Sequence, residues 1–79
     1  MDKDLEEYKE FLEKEGKRNK DYIRILDEID IKLHEMKEIA QYALNNELTK
    51  EEINRMNAQL LTLKEEISDL EGELIYTVH

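Results

Sequence analysis

Residues 53–74 read INRMNAQLLTLKEEISDLEGEL. Ile53, Met56, Leu60, Leu63, Ile67, Leu70 and Leu74 recur at steps of three and four without a miss. That is the spacing of an a/d heptad seam, which puts one residue per turn on a single helical face. The polar positions between them are overwhelmingly acidic over 65–73, where Glu65, Glu66, Asp69, Glu71 and Glu73 stand without a single base. The stretch thus predicts a helix that keeps a strict packing face and loads its other faces with unbalanced negative charge.

Working outward, Thr49-Lys50-Glu51-Glu52 marks the start of this helix. Thr49 suits the N-cap, and Glu52 stands three residues on to complete a capping box. Upstream, Tyr22, Leu26, Ile29, Leu33, Met36, Ala40 and Ala43 form a second unbroken three-four series. Asn45-Asn46 follows it as a left-handed stop. Two helices of roughly 26 residues, each ~40 Å long at 1.5 Å per residue, joined by a short turn, predict an antiparallel hairpin over 20–46 and 50–77. The chain contains no proline and no strand-like alternation, so the fold class expected is all-α, a coiled-coil-like antiparallel helical hairpin.

The N-terminal segment, 1–19, carries Leu5, Tyr8 and Leu12 in phase with the first series, through polar Glu15 and Asn19. Gly16 and the run Lys17-Arg18-Asn19-Lys20 interrupt it. Two arrangements are open: one long helix projecting past the hairpin, or a break near Gly16, toward which the glycine tips the reading. The hydrophobic set is also too wide for one neighbour. Phe11, Ile25 and Ile39 flank the first seam on one side and Ile23 and Leu44 on the other, with Leu61, Ile75 and Tyr76 lying off the second. A homodimer, most simply a four-helix arrangement, covers them; a segment 1–19 folded back as a third helix is the monomeric alternative.

The chain has 79 residues, enough for one domain, with 21 acids against 12 bases and a net charge of −9. It has no cysteine, so disulfides and thiolate metal sites are excluded. No apolar run approaches the ~18 residues of a membrane span, and the mixed-charge start MDKDLEEYKE is unlike a signal segment. A soluble cytoplasmic protein is expected. An anionic surface repels nucleic acid and acidic membranes and attracts basic proteins.

Catalytic residue sets are missing. His79 is the last residue, and His34 has Asp30 and Glu38 four residues to either side, a solvated charged face rather than a metal site. There is no glycine-rich phosphate loop and no triad, so no enzymatic activity, cofactor or metal is expected. Lys14, Lys17, Arg18, Lys20 and Arg24 are interleaved with Glu13, Glu15 and Asp21, which leaves little positive field for nucleic acid.

The hairpin around Glu47-Leu48-Thr49-Lys50-Glu51-Glu52-Ile53, over roughly 29–67, resembles the small sporulation-regulating aspartyl-phosphate phosphatases of Gram-positive bacteria. The Ser-Gln-x-x-Asp signature of that family would fall on Asn57-Ala58-Gln59-Leu60-Leu61, which lacks the acid. The resemblance therefore implies the hairpin and not the activity.

With a turn near Glu47, residues whose numbers sum to about 96 lie side by side in a hairpin. Asp27, Glu28 and Asp30 then fall beside Glu65, Glu66, Asp69, Glu71 and Glu73, and these eight carboxylates are the expected partner-binding site, on a shared outer surface. In size, acidity, helicity and lack of catalytic residues the chain resembles small acidic bacteriophage inhibitors that mimic DNA, including those aimed at histone-like nucleoid proteins. The resemblance implies occupation of the DNA-binding groove of a basic host protein. The alternative from a different class is an adaptor module gripping a partner helix with Leu61, Ile75, Tyr76 and Val78.

Overall fold

A computed structural model describes residues 2–78. It contains two helices, α1 (Asp2–Asn45) and α2 (Lys50–Val78), which pack against each other in an antiparallel hairpin. No strand occurs among the described residues. The molecule is a rod of 71 × 18 × 12 Å.

The turn is built as its sequence dictates at one end and differently at the other. At the start of α2, Thr49 Oγ1 accepts from the Glu52 backbone N–H at 3.1 Å and donates to Glu52 Oε1 at 3.2 Å. This is a capping box in which the glutamate meets the threonine hydroxyl rather than its backbone amide. The first intrahelical bond, Ile53 N–H to Thr49 C=O at 3.0 Å, follows at once. Leu48, one residue before the cap, lines a cleft with Ile53, Ile39 and Ala43, so an apolar staple sets the angle at which the chain enters α2. The end of α1 does not use the left-handed stop expected of Asn45-Asn46. No non-glycine residue among those described has positive φ. Instead the Asn46 side-chain amide donates to the Tyr42 carbonyl at 2.8 Å, satisfying one of the orphan acceptors of the last turn.

The expected break near Gly16 is absent, because α1 runs through that residue without interruption. The cost of a helical glycine is about 1 kcal/mol, and the favourable residues on either side of a 44-residue helix outweigh it. Segment 1–19 is therefore not a separate element in its described part. Thr77, near the end of α2, shares a cleft with Glu15, Arg18 and Tyr22. Residues 2–14 extend past that point as an arm of about 20 Å.

The core is thin and lies along one line. Leu63, Ile67 and Leu70 of α2 are buried, with Met56, Leu60 and Leu74 half-buried beside them and Ile53 exposed. The α2 seam is thus the one legible in 53–74. The α1 seam is turned from its expected position. Ile25 is the most buried side chain at 2% exposure, whereas its neighbour Leu26 is 40% and Leu33 is 50% exposed. Ile29, Lys32, Met36 and Ile39 are half-buried. The face in contact therefore keeps Ile29 and Met36 and replaces Leu26, Leu33 and Ala40 by Ile25, Lys32 and Ile39, a rotation of roughly 50° at 3.6 residues per turn. Ile25 and Ile39, expected on a flank, are part of the contact.

Two measurements check this arrangement. Truncating Ile25→Ala should cost about 2 kcal/mol or more in chemical denaturation, the low end for a large-to-small core change; a loss under about 0.5 kcal/mol would place the contact face elsewhere. Gly16→Ala, whose new Cβ meets nothing within 4 Å, should raise helical stability by up to about 1 kcal/mol. A fall in ellipticity at 222 nm would show that the chain turns there.

Candidate protein-interaction surface

The register expected of the hairpin holds. Lys32 of α1 pairs with Glu66 of α2, and Tyr22 stands near Thr77. The paired half at the open end, residues 20–34 and 63–77, holds nine acids against four bases. Asp27, Glu28 and Asp30 therefore do lie at the level of 65–73.

They do not form one strip. Helical geometry distributes the eight carboxylates around the rod. Glu66 lines a groove with Glu35, Glu38, Tyr42, Arg55 and Gln59 on one side of the hairpin. Glu71 lines the opposite groove with Leu33, Met36, Lys64, Ile67 and Ser68. By the same 100° step, Glu28 and Glu73 fall on the Glu66 side, while Asp27, Asp30, Glu65 and Asp69 point away from the partner helix. The shared outer surface anticipated from the sequence is in the structure a collar, because an antiparallel pair aligns levels but leaves each residue its own azimuth.

Neutralisation is uneven. Glu66 is engaged by Lys32, the one ion pair between the helices among the described residues. Glu28 Oε1 accepts from Arg24 at 3.0 Å one turn away. His34 Nδ1 lies 3.2 Å from the Asp30 carbonyl and 3.8 Å from its carboxylate. Asp27, Glu65, Asp69, Glu71 and Glu73 make no ion pair among the described residues, and all five are exposed. No group of three or more metal-ligating side chains is assembled among the described residues.

Lys32 is the polar insert in an otherwise apolar contact. The hydrogen bond to Glu66 holds its ammonium above the ordinary value of 10.5, partly opposed by desolvation and aided by the carboxylates of Glu66, Glu35 and Glu28. A raised lysine stabilises the fold at every pH below its unfolded value and withdraws that support as pH climbs through the folded value. Its contribution is therefore constant across neutral pH and fades only above about 10.5.

The second feature of this surface is apolar, and the sequence shows part of it. Leu5, Tyr8, Phe11 and Leu12 on the arm are 49–60% exposed, and Ile23, Leu26, Leu33, Leu61, Ile75 and Tyr76 are exposed on the hairpin. Phe11, Ile23, Leu61, Ile75 and Tyr76 are surplus to the two seams in the sequence; Leu26 and Leu33 join them only because the α1 seam is rotated. The side chain of Val78 lies outside the described residues. Among the described residues, no helix is long and apolar enough to cross a membrane.

No family model, curated protein or solved structure matches the chain.

A double-mutant cycle on Lys32→Met and Glu66→Gln should return a favourable coupling at pH 7 that shrinks above pH 10.5. A coupling of zero at both would show that the pair does not fix the register.

Proposed function

We propose that the chain is a non-enzymatic acidic binding protein that occupies the basic, nucleic-acid-binding surface of a partner protein in the cytoplasm, as a DNA mimic does. The observation that carries this reading is the set of five exposed carboxylates, drawn from both helices at one level, that make no ion pair among the described residues. Concentrating like charge costs stability, and a helical surface built only for solubility would intersperse lysines. A collar also suits a partner that grips a cylinder. Nine acids against four bases over about 22 Å of rod leave one net negative charge per ~4.5 Å, the same sign as, and sparser than, the ~1.7 Å per phosphate charge of duplex DNA. Basic nucleoid-type proteins have the complementary chemistry, and association would be rapid and salt-sensitive.

The adaptor reading is favoured by a different observation, the exposure of Leu61, Ile75 and Tyr76, the last at 88%. It predicts a partner held through apolar contacts.

One experiment separates them. Protein captured from lysate on the immobilised chain is eluted in a salt gradient, beside a variant carrying Glu65→Lys, Asp69→Lys and Glu73→Lys. These three positions are exposed and outside the observed ion pairs, so the fold should persist by circular dichroism. Mimicry requires basic DNA-binding proteins released by moderate salt and lost with the variant. Retention indifferent to both salt and charge reversal defeats it in favour of the adaptor.

A further inference from the structure

The arm repeats the pattern of the hairpin without having its partner. Leu5 and Leu12 stand at heptad steps from Leu26 and Leu33, Tyr8 from Tyr22 and Ile29, and Phe11 from Ile25 and Ile39. In the hairpin the Ile25–Ile39 line faces α2, but α2 ends near the level of Arg18 and Tyr22. The arm thus carries an apolar face about 120° wide, from Phe11 to Leu5, with no helix beside it. A two-stranded coiled coil needs only a narrow a/d stripe; a face this wide calls for two neighbouring helices.

The hairpin has the complementary need. Leu26 and Leu33 lie about a third of a turn from the α2-facing line and remain 40% and 50% exposed. Leu33 and Met36 form one wall of a groove whose other wall is Lys64, Ile67 and Ser68. That groove is bounded by two helices and lacks a third.

The exposed area is of the size a dimer removes. The chain presents 6946 Å², whereas a compact monomer of 9.5 kDa presents about 5,000 Å². The surplus of roughly 1,900 Å² per chain falls within the range that obligate dimers bury.

We propose that a second copy of this chain fills the groove by mutual exchange of arms. The two α1 helices run antiparallel about a two-fold axis near Asn19, and each arm lies in the other copy's groove. This places Leu12 beside Leu26 of the second copy and Leu5 beside its Leu33, which is the level of the groove formed with Lys64 and Ile67. Asn19, the polar member of the leucine series, meets its own copy at the axis, where a single asparagine fixes register. Each end of the dimer is a three-helix layer of α1, α2 and a borrowed arm. The arrangement is distinct from two complete hairpins meeting as a four-helix bundle, and it stands whether or not the acidic collar binds a basic partner.

The test uses the full chain, which has no native cysteine. Sedimentation equilibrium at tens of micromolar should give about twice the 9.5 kDa chain mass. Phe11→Asp with Leu12→Asp should return it to the monomer with most ellipticity retained, since both stand in the arm beyond the level of Thr77. A chain bearing both Leu12→Cys and Leu26→Cys should oxidise to a covalent dimer, because the two sites lie about 21 Å apart on one helix and cannot bridge within it. Leu12→Cys alone should give no covalent dimer. A monomeric wild-type mass, or efficient cross-linking of Leu12→Cys to itself, as parallel arms would produce, overturns the exchange.

Discussion

A two-helix layer has no interior, and that constraint governs everything else in this molecule. A helix in such a layer touches one neighbour along one line, so among the described residues only Ile25, Leu63, Ile67 and Leu70 become buried. Each contributes roughly 1.5–3 kcal/mol relative to exposure, which is small against the conformational entropy of ordering so long a chain. The capping box at Thr49, the Leu48–Ile53 staple and the Asn46 cap therefore matter more here than in a larger domain. They fix the turn geometry, and through it the line of contact, where core packing alone would leave the two helices to slide or roll.

Roll is the degree of freedom that periodicity does not specify. The steps of three and four in 53–74 identified α2 and its packing face, because that helix has one continuous apolar line and mostly polar or charged residues elsewhere. On α1 the heptad series through Leu26 and Leu33 and the parallel line through Ile25 and Ile39 were equally legible. Which one meets α2 was not. Burying Ile25 and Ile39 brings Lys32 opposite Glu66, so the seam gains an ion pair as well as branched aliphatics. The leucine line is left outside. Sequence also left the path of residues 1–19 open, since one glycine weakens a helix by an amount comparable to what its neighbours restore.

The carboxylate site was legible in level and not in azimuth. Chain reversal near Glu47 is enough to set Asp27–Asp30 beside Glu65–Glu73, whatever the roll of either helix. The side of the rod on which each acid stands depends on the roll, and only the structure supplies it. The outcome is a collar with the apolar groove of Leu33 and Ile67 running through it, crossed by Lys64 and Glu71. Charge and hydrophobicity are interleaved on this molecule, so a partner that approaches the carboxylates on that side also meets leucine.

That interleaving gives the two proposed contacts opposite responses to ionic strength. A basic partner is attracted to the collar, and screening weakens the attraction within a Debye length of about 10 Å at 0.1 M salt. Exchange of arms instead brings an acidic segment, with six acids and two bases over 2–13, against an acidic hairpin half. Around the axis Lys14, Lys17, Arg18, Lys20 and Arg24 of both copies are interleaved with Glu13, Glu15 and Asp21, so the charge there largely cancels. The acidic juxtaposition repels, and screening relieves it while leaving apolar burial intact. Low salt therefore favours the collar as a ligand for a basic surface, and high salt favours the assembled rod. The net charge of −9 acts on both through the same carboxylates, which makes self-association and partner capture separable by a single solution variable.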